Sequence, residues 1–107
     1  MFHKVRRYHR HSISGSAVIT RRDAGSPKEL VTRVNTISQG GMGFYSEVFI
    51  EKATPVSVEL LFQSGSPTGG NVLAGKIASV CSQEKDYYMG IAFDNEISFD
   101  RFIEIIG

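Results

Sequence analysis

Apolar residues recur at every second position in short runs, and Gly, Ser, Pro or Asp cuts off each run. Period two gives an extended chain one apolar face, so the pattern restricts the fold to strands joined by turns. Ile13, Gly15, Ala17 and Ile19 alternate with Ser14, Ser16 and Val18, and Val56, Val58, Leu60 and Phe62 alternate with Ser57, Glu59 and Leu61. Further strands are predicted near Leu30 to Ile37, Gly43 to Phe49, Asn71 to Ser82 and Asp86 to Phe93. In the last of these, Tyr87, Met89, Ile91 and Phe93 share a face. The stretches 23–27 and 64–71 are turns or loops by their Gly and Pro content, and neither has the length or charge of a domain linker.

Near the C-terminus the period changes. Phe99, Phe102, Ile103 and Ile106 stand at i, i+3, i+4 and i+7 with Asp100, Arg101 and Glu104 between them, which predicts a short amphipathic helix starting near Asn95 or Ser98. Those four apolar side chains are expected to be its buried face. Such a short helix does not persist alone, so it must lie on the strands. The expected fold is mainly β, a six-stranded antiparallel β-barrel with a short C-terminal α-helix, because closure removes the exposed edges of a small sheet. There is no internal repeat and no heptad pattern.

A chain of 107 residues with 41% hydrophobic content can build one core but not two. Its net charge of +1 hides an asymmetry. Six of the twelve Lys and Arg residues precede the first acid, Asp23, while all eleven acids follow them. The reading is a flexible basic N-terminal arm over 1–11 and a single barrel domain over 12–107. A uniformly basic nucleic-acid binder is excluded, and no DNA or RNA partner is expected. The single cysteine, Cys81, leaves no intramolecular disulfide, and no apolar run reaches the length of a membrane span. These features predict a cytoplasmic protein without membrane insertion.

Catalytic constellations are missing from the sequence. His3, His9 and His11 cluster in the arm without a Cys or an acid to complete a metal site. Cys81 ends a strand pattern and reads as a small core or rim residue, and Ser38 has no general base near it. Gly40-Gly41-Met42-Gly43 lacks the lysine and spacing of a nucleotide-triphosphate loop. No enzymatic activity, catalytic residue, metal or cofactor is expected.

Binding has a stronger basis. Arg6 and Arg10, in the run Arg6-Arg7-Tyr8-His9-Arg10, are four apart. They project to one side of an extended arm about 13 Å apart, or to one face of a helical turn about 6 Å apart. Either geometry lets two guanidinium groups converge on one anionic, planar ligand, through bidentate pairing to phosphate or guanine and stacking on a base. The segment Thr36-Ile37-Ser38-Gln39-Gly40-Gly41 adds hydroxyls and exposed backbone N–H groups at a glycine turn, where a ligand can approach the main chain.

Arg6-x-x-x-Arg10, followed by Thr-Ile-Ser-Gln-Gly-Gly-Met-Gly-Phe, resembles the PilZ domain family, whose two signatures are RxxxR and [DN]xSxxG. The similarity extends through Val72-Leu73-Ala74-Gly75-Lys76-Ile77 and Tyr87-Tyr88-Met89-Gly90-Ile91-Ala92-Phe93, roughly Arg6 to Phe93. The resemblance implies a six-stranded barrel acting as a receptor for the bacterial second messenger cyclic di-GMP, a signalling module with a downstream protein partner. Arg6, Arg10, Ser38 and Gly41 match its motifs. With their neighbours Arg7, Thr36 and Gly40 they form the expected ligand-binding set.

One position departs from the family pattern. Thr36 stands where the family has Asp or Asn, and Asn35 is one residue too early. In a regular strand Asn35 faces the other way, so it replaces the missing group only if a bulge shifts the register. Thr36 alone supplies a shorter, single-pronged contact, at an expected cost of about 1 to 2 kcal/mol in affinity. The alternative function is a divergent PilZ-like adaptor that contacts proteins and no longer binds the nucleotide.

Overall fold

The computed structural model describes residues 10–23, 29–61 and 72–106. Six strands, β1 His11–Arg21, β2 Glu29–Ile37, β3 Gly41–Ser46, β4 Pro55–Leu60, β5 Val72–Ser82 and β6 Tyr87–Phe93, precede one helix, α1 Phe99–Ile106. They form a closed barrel in the order β1-β2-β3-β6-β5-β4, every neighbouring pair antiparallel. Closure gives each strand two partners, as the sequence pattern requires.

The period-two faces fill the interior. Ala17, Ile19, Val56, Val58, Leu60, Met89, Ile91 and Phe93 are buried in one core with Val34, Ile37, Met42, Phe44 and Ile77. β1 begins at His11, the last residue assigned to the arm from sequence, because His11 pairs with Ile37. β3 ends earlier than alternation suggests. The buried Ser46 donates its hydroxyl to the Val48 carbonyl at 2.7 Å and accepts from the Val48 N–H at 3.0 Å, turning the chain out of the sheet. Val48 and Phe49 therefore lie outside the strand, about half exposed.

The helix corrects one expectation. Phe102 and Ile105 are its buried residues and Ile106 is half-buried, whereas Phe99 and Ile103 face solvent at 63% and 44% exposure. Its rotation is set by the chain entering it. Ile97 is buried, its N–H donates to the Gln39 carbonyl at 2.8 Å, and its own carbonyl accepts from Gln39 Nε2 at 2.9 Å. Ser98 then caps the helix by accepting the Arg101 N–H at 3.3 Å. With Ile97 fixed, the inward face is rotated by most of the roughly 100° that one residue spans.

Candidate functional site

Strand pairing brings the two sequence signatures together. His11 pairs with Ile37 and Ser12 with Thr36, so Arg10, exposed and one residue ahead of β1, stands beside the end of β2. β2 runs there into the Ser38–Gly41 turn. Arg6 and Arg7 lie outside the described residues. Two of the six N-terminal bases are committed elsewhere: Arg21 donates to both Asp23 carboxylate oxygens at 3.2 and 3.1 Å, and Arg22 lies 3.9 Å from Asp94. The Arg21 hydrogen bond holds the exposed Asp23 carboxyl below its usual range.

The turn consumes most of its own polar groups. Ser38 is buried, its N–H donates to the Gly41 carbonyl at 2.8 Å, and its hydroxyl accepts the Gly40 N–H at 3.2 Å while donating to the Gly41 carbonyl at 3.4 Å. Ser38 thus shapes the turn. The Gly40 carbonyl accepts the Phe93 N–H at 2.9 Å, which pins the turn to β6. At Gly41 a Cβ would collide with the Ile91 carbonyl, so only glycine permits this approach of β3 to β6.

Asn35 overturns the expectation that it faces away. Along β2 and β3, Val34 pairs with Phe44 but Thr36 pairs with Gly43, leaving Asn35 as the extra residue of a bulge. Val34 and Ile37 are both buried although three residues apart, so Asn35 and Thr36 both lie on the outer face. Asn35 Nδ2 donates to the Tyr88 hydroxyl at 3.2 Å. That hydroxyl occupies the space a Cβ on Gly43 would take, and Thr36 Oγ1 lies 3.0 Å from the same point. Thr36 Oγ1 is buried and has no hydrogen-bond partner among the described residues. The signal for the bulge was present in sequence: the inward apolar positions change from even to odd between Val34 and Ile37.

Around this cluster the outer face spans four paired strands. Thr36, Gly43, Gly90 and Ser79 are paired in succession across β2, β3, β6 and β5, and the two central positions carry no side chain. Arg33, Tyr45 and Tyr88 form the adjacent row. The Arg33 guanidinium sits 4.9 Å from the Tyr45 ring centroid, and the Tyr45 and Tyr88 rings meet edge to face at 5.0 Å. Arg33, Tyr45 and Tyr88 did not stand out as site residues from sequence. His11, one of the three clustered histidines, packs against Phe102 with ring centroids 5.3 Å apart. Among the described residues no group of three His, Cys, Asp or Glu could hold a metal ion.

The fold is a small antiparallel barrel whose outer face carries Asn35, Thr36, Tyr45 and Tyr88, with Arg10 beside the end of β2. The chain belongs to the PilZ domain family, whose model matches residues 4–106. Among solved structures it is similar to the PilZ domain of Escherichia coli YcgR with c-di-GMP, at 19% identity and a TM-score of 0.72, covering 96% of this chain and 89% of that one. It is also similar to the Bacillus subtilis inhibitor of motility MotI/DgrA, at 11% identity and a TM-score of 0.71, covering 95% of this chain and 48% of that one. The Escherichia coli YcgR complex with c-di-GMP matches at 17% identity and a TM-score of 0.60, covering 94% of this chain and 42% of that one. The chain therefore spans about half of the MotI chain and less than half of that YcgR chain. No curated protein matches.

Proposed function

We propose that this domain is a receptor module for cyclic di-GMP in the cytoplasm, with the arm arginines on the phosphates and guanines and the bulged face of β2 on a guanine. The observation that carries the reading is the bulge at Asn35. It turns an amide outward beside Thr36, where the family motif has Asp or Asn, on the strand end that pairs with the residues following Arg10. The group missing at position 36 is thereby supplied from position 35. Two of the similar YcgR structures contain c-di-GMP, which supports the ligand class. Arginine supplies the charge-assisted, bidentate contacts a cyclic dinucleotide needs.

The test is a calorimetric titration of the protein with cyclic di-GMP, with GTP and a short RNA as controls. Saturable binding of cyclic di-GMP alone is expected, and absence of binding overturns the reading. The adaptor reading then takes its place. It is favoured by exposed Val31, Val48 and Phe49, the first two lining a groove of about 330 Å³ between β2 and β3 that also takes in Arg33 and Tyr45.

A further inference from the structure

We infer that Tyr88, outside both family signatures, is a specificity-determining residue that orients Asn35 and completes a recognition edge for guanine; the inference rests on the proposed nucleotide reading. The hydrogen bond between the two side chains assigns their remaining capacity. Asn35 spends an amide donor on Tyr88, which leaves its Oδ1 to accept from a ligand. The Tyr88 oxygen accepts that bond, which leaves its proton to be donated. A donor and an acceptor are therefore held side by side on the outer face.

Guanine is complementary to such a pair, because its Watson–Crick edge presents an acceptor, O6, next to two donors, N1–H and the exocyclic amine. Tyr88 O–H meets the acceptor and Asn35 Oδ1 accepts from the donors. Adenine presents the reverse order, a donor at N6 and an acceptor at N1, so in the same pose it sets donor against donor and acceptor against acceptor. Thr36 Oγ1 lies buried and without a partner among the described residues beside the same point on Gly43. Gly43 and Gly90 are paired with each other, with the Tyr88 hydroxyl over Gly43 and Ser79 Oγ over Gly90. Tyr88 itself is held in place by the Tyr45 ring, so its hydroxyl is preorganised.

The experiment compares cyclic di-GMP with cyclic di-AMP on the wild type, Tyr88→Phe and the control Tyr87→Phe, which removes the hydroxyl of the preceding β6 residue, packed on Phe49 away from this face. Tyr88→Phe is expected to weaken cyclic di-GMP binding about fivefold or more and to shrink the preference over cyclic di-AMP, with Tyr87→Phe unchanged. Thermal melts of all three proteins accompany the titrations, since a purely structural role would lower the melting temperature without moving the base preference. In wild-type protein, the Asn35 side-chain amide NMR signals are expected to shift on saturation, a readout that needs no variant. Equal affinity and preference in Tyr88→Phe, or unmoved Asn35 signals in a wild type that binds, overturns this inference alone. A wild type that binds neither nucleotide overturns the receptor reading and this inference with it.

Discussion

The Tyr88 hydroxyl fills the space that a Cβ on Gly43 would need, so the glycine of β3 and the tyrosine of β6 are one packing unit. The obstructing atoms belong to the tip of a side chain, with the ring carbon bearing the hydroxyl 2.8 Å from that point. Gly43→Ala is accordingly expected to push the phenol outward and break its hydrogen bond to Asn35. The cost should be about 1 to 2 kcal/mol in urea unfolding, with the barrel intact.

Gly41→Ala should be worse, because its new Cβ meets the Ile91 carbonyl of the main chain and not a side chain that can swing away. Relief requires the β3–β6 ladder to part where Gly41 pairs with Ala92. A loss of roughly 3 kcal/mol or more is expected, in the range that backbone strain and broken ladder bonds produce together. Equal unfolding midpoints for the two variants would contradict this account of the turn.

Arg10 is exposed and precedes the first strand, so removing it should leave the fold alone. Arg10→Ala is expected to keep the melting temperature while lowering cyclic di-GMP affinity by about 1 to 3 kcal/mol, and Arg10→Lys should rescue poorly because an ammonium cannot pair in bidentate fashion. Titration at two salt concentrations checks the charge contribution, since the wild type should lose more affinity with added salt than Arg10→Ala.

Asn35→Ala separates the sequence reading from the structure. A regular strand points Asn35 away from the site and makes the change nearly neutral, whereas the bulge places its amide on Tyr88. The expected result is a loss of about 1 to 2 kcal/mol in cyclic di-GMP affinity in a folded protein. Unchanged affinity would mean that the outward amide is not used.

What could be read from the sequence was whatever follows a strict period. Val56, Val58 and Leu60 announced β4, and Met89, Ile91 and Phe93 announced β6, because each inward residue is two along from the last and all six are buried. The helix was legible, but its rotation was not. Phe99 and Ile103 fit an apolar stripe as well as Ile105 does, and the choice is made by the Gln39–Ile97 hydrogen bonds across 58 residues. The bulge at Asn35 left only a faint trace: one extra residue leaves composition untouched and shows solely as the change of inward parity between Val34 and Ile37, which a regular-strand reading passes over. Ser38 was read as a ligand group from its hydroxyl at a glycine turn and from its motif, and neither shows the three hydrogen bonds within the turn that its N–H and hydroxyl make.

Thr36 offers a test in which stability and binding should move in opposite directions. Its Oγ1 is buried beside the Gly43 backbone with no partner among the described residues, so the ligand-free fold bears the desolvation cost of a hydroxyl that makes no bond. Thr36→Val keeps the branched shape and removes that polar atom. The variant is expected to gain about 1 kcal/mol of stability, within the usual range for relieving an unsatisfied buried group, and to raise the melting temperature accordingly. If the hydroxyl is held in reserve for a guanine, the same change should weaken cyclic di-GMP binding by about fivefold. Higher stability with undiminished affinity would show that Thr36 carries strain without a binding role. Lower stability would show that the hydroxyl is already satisfied in the free protein, by water if not by protein.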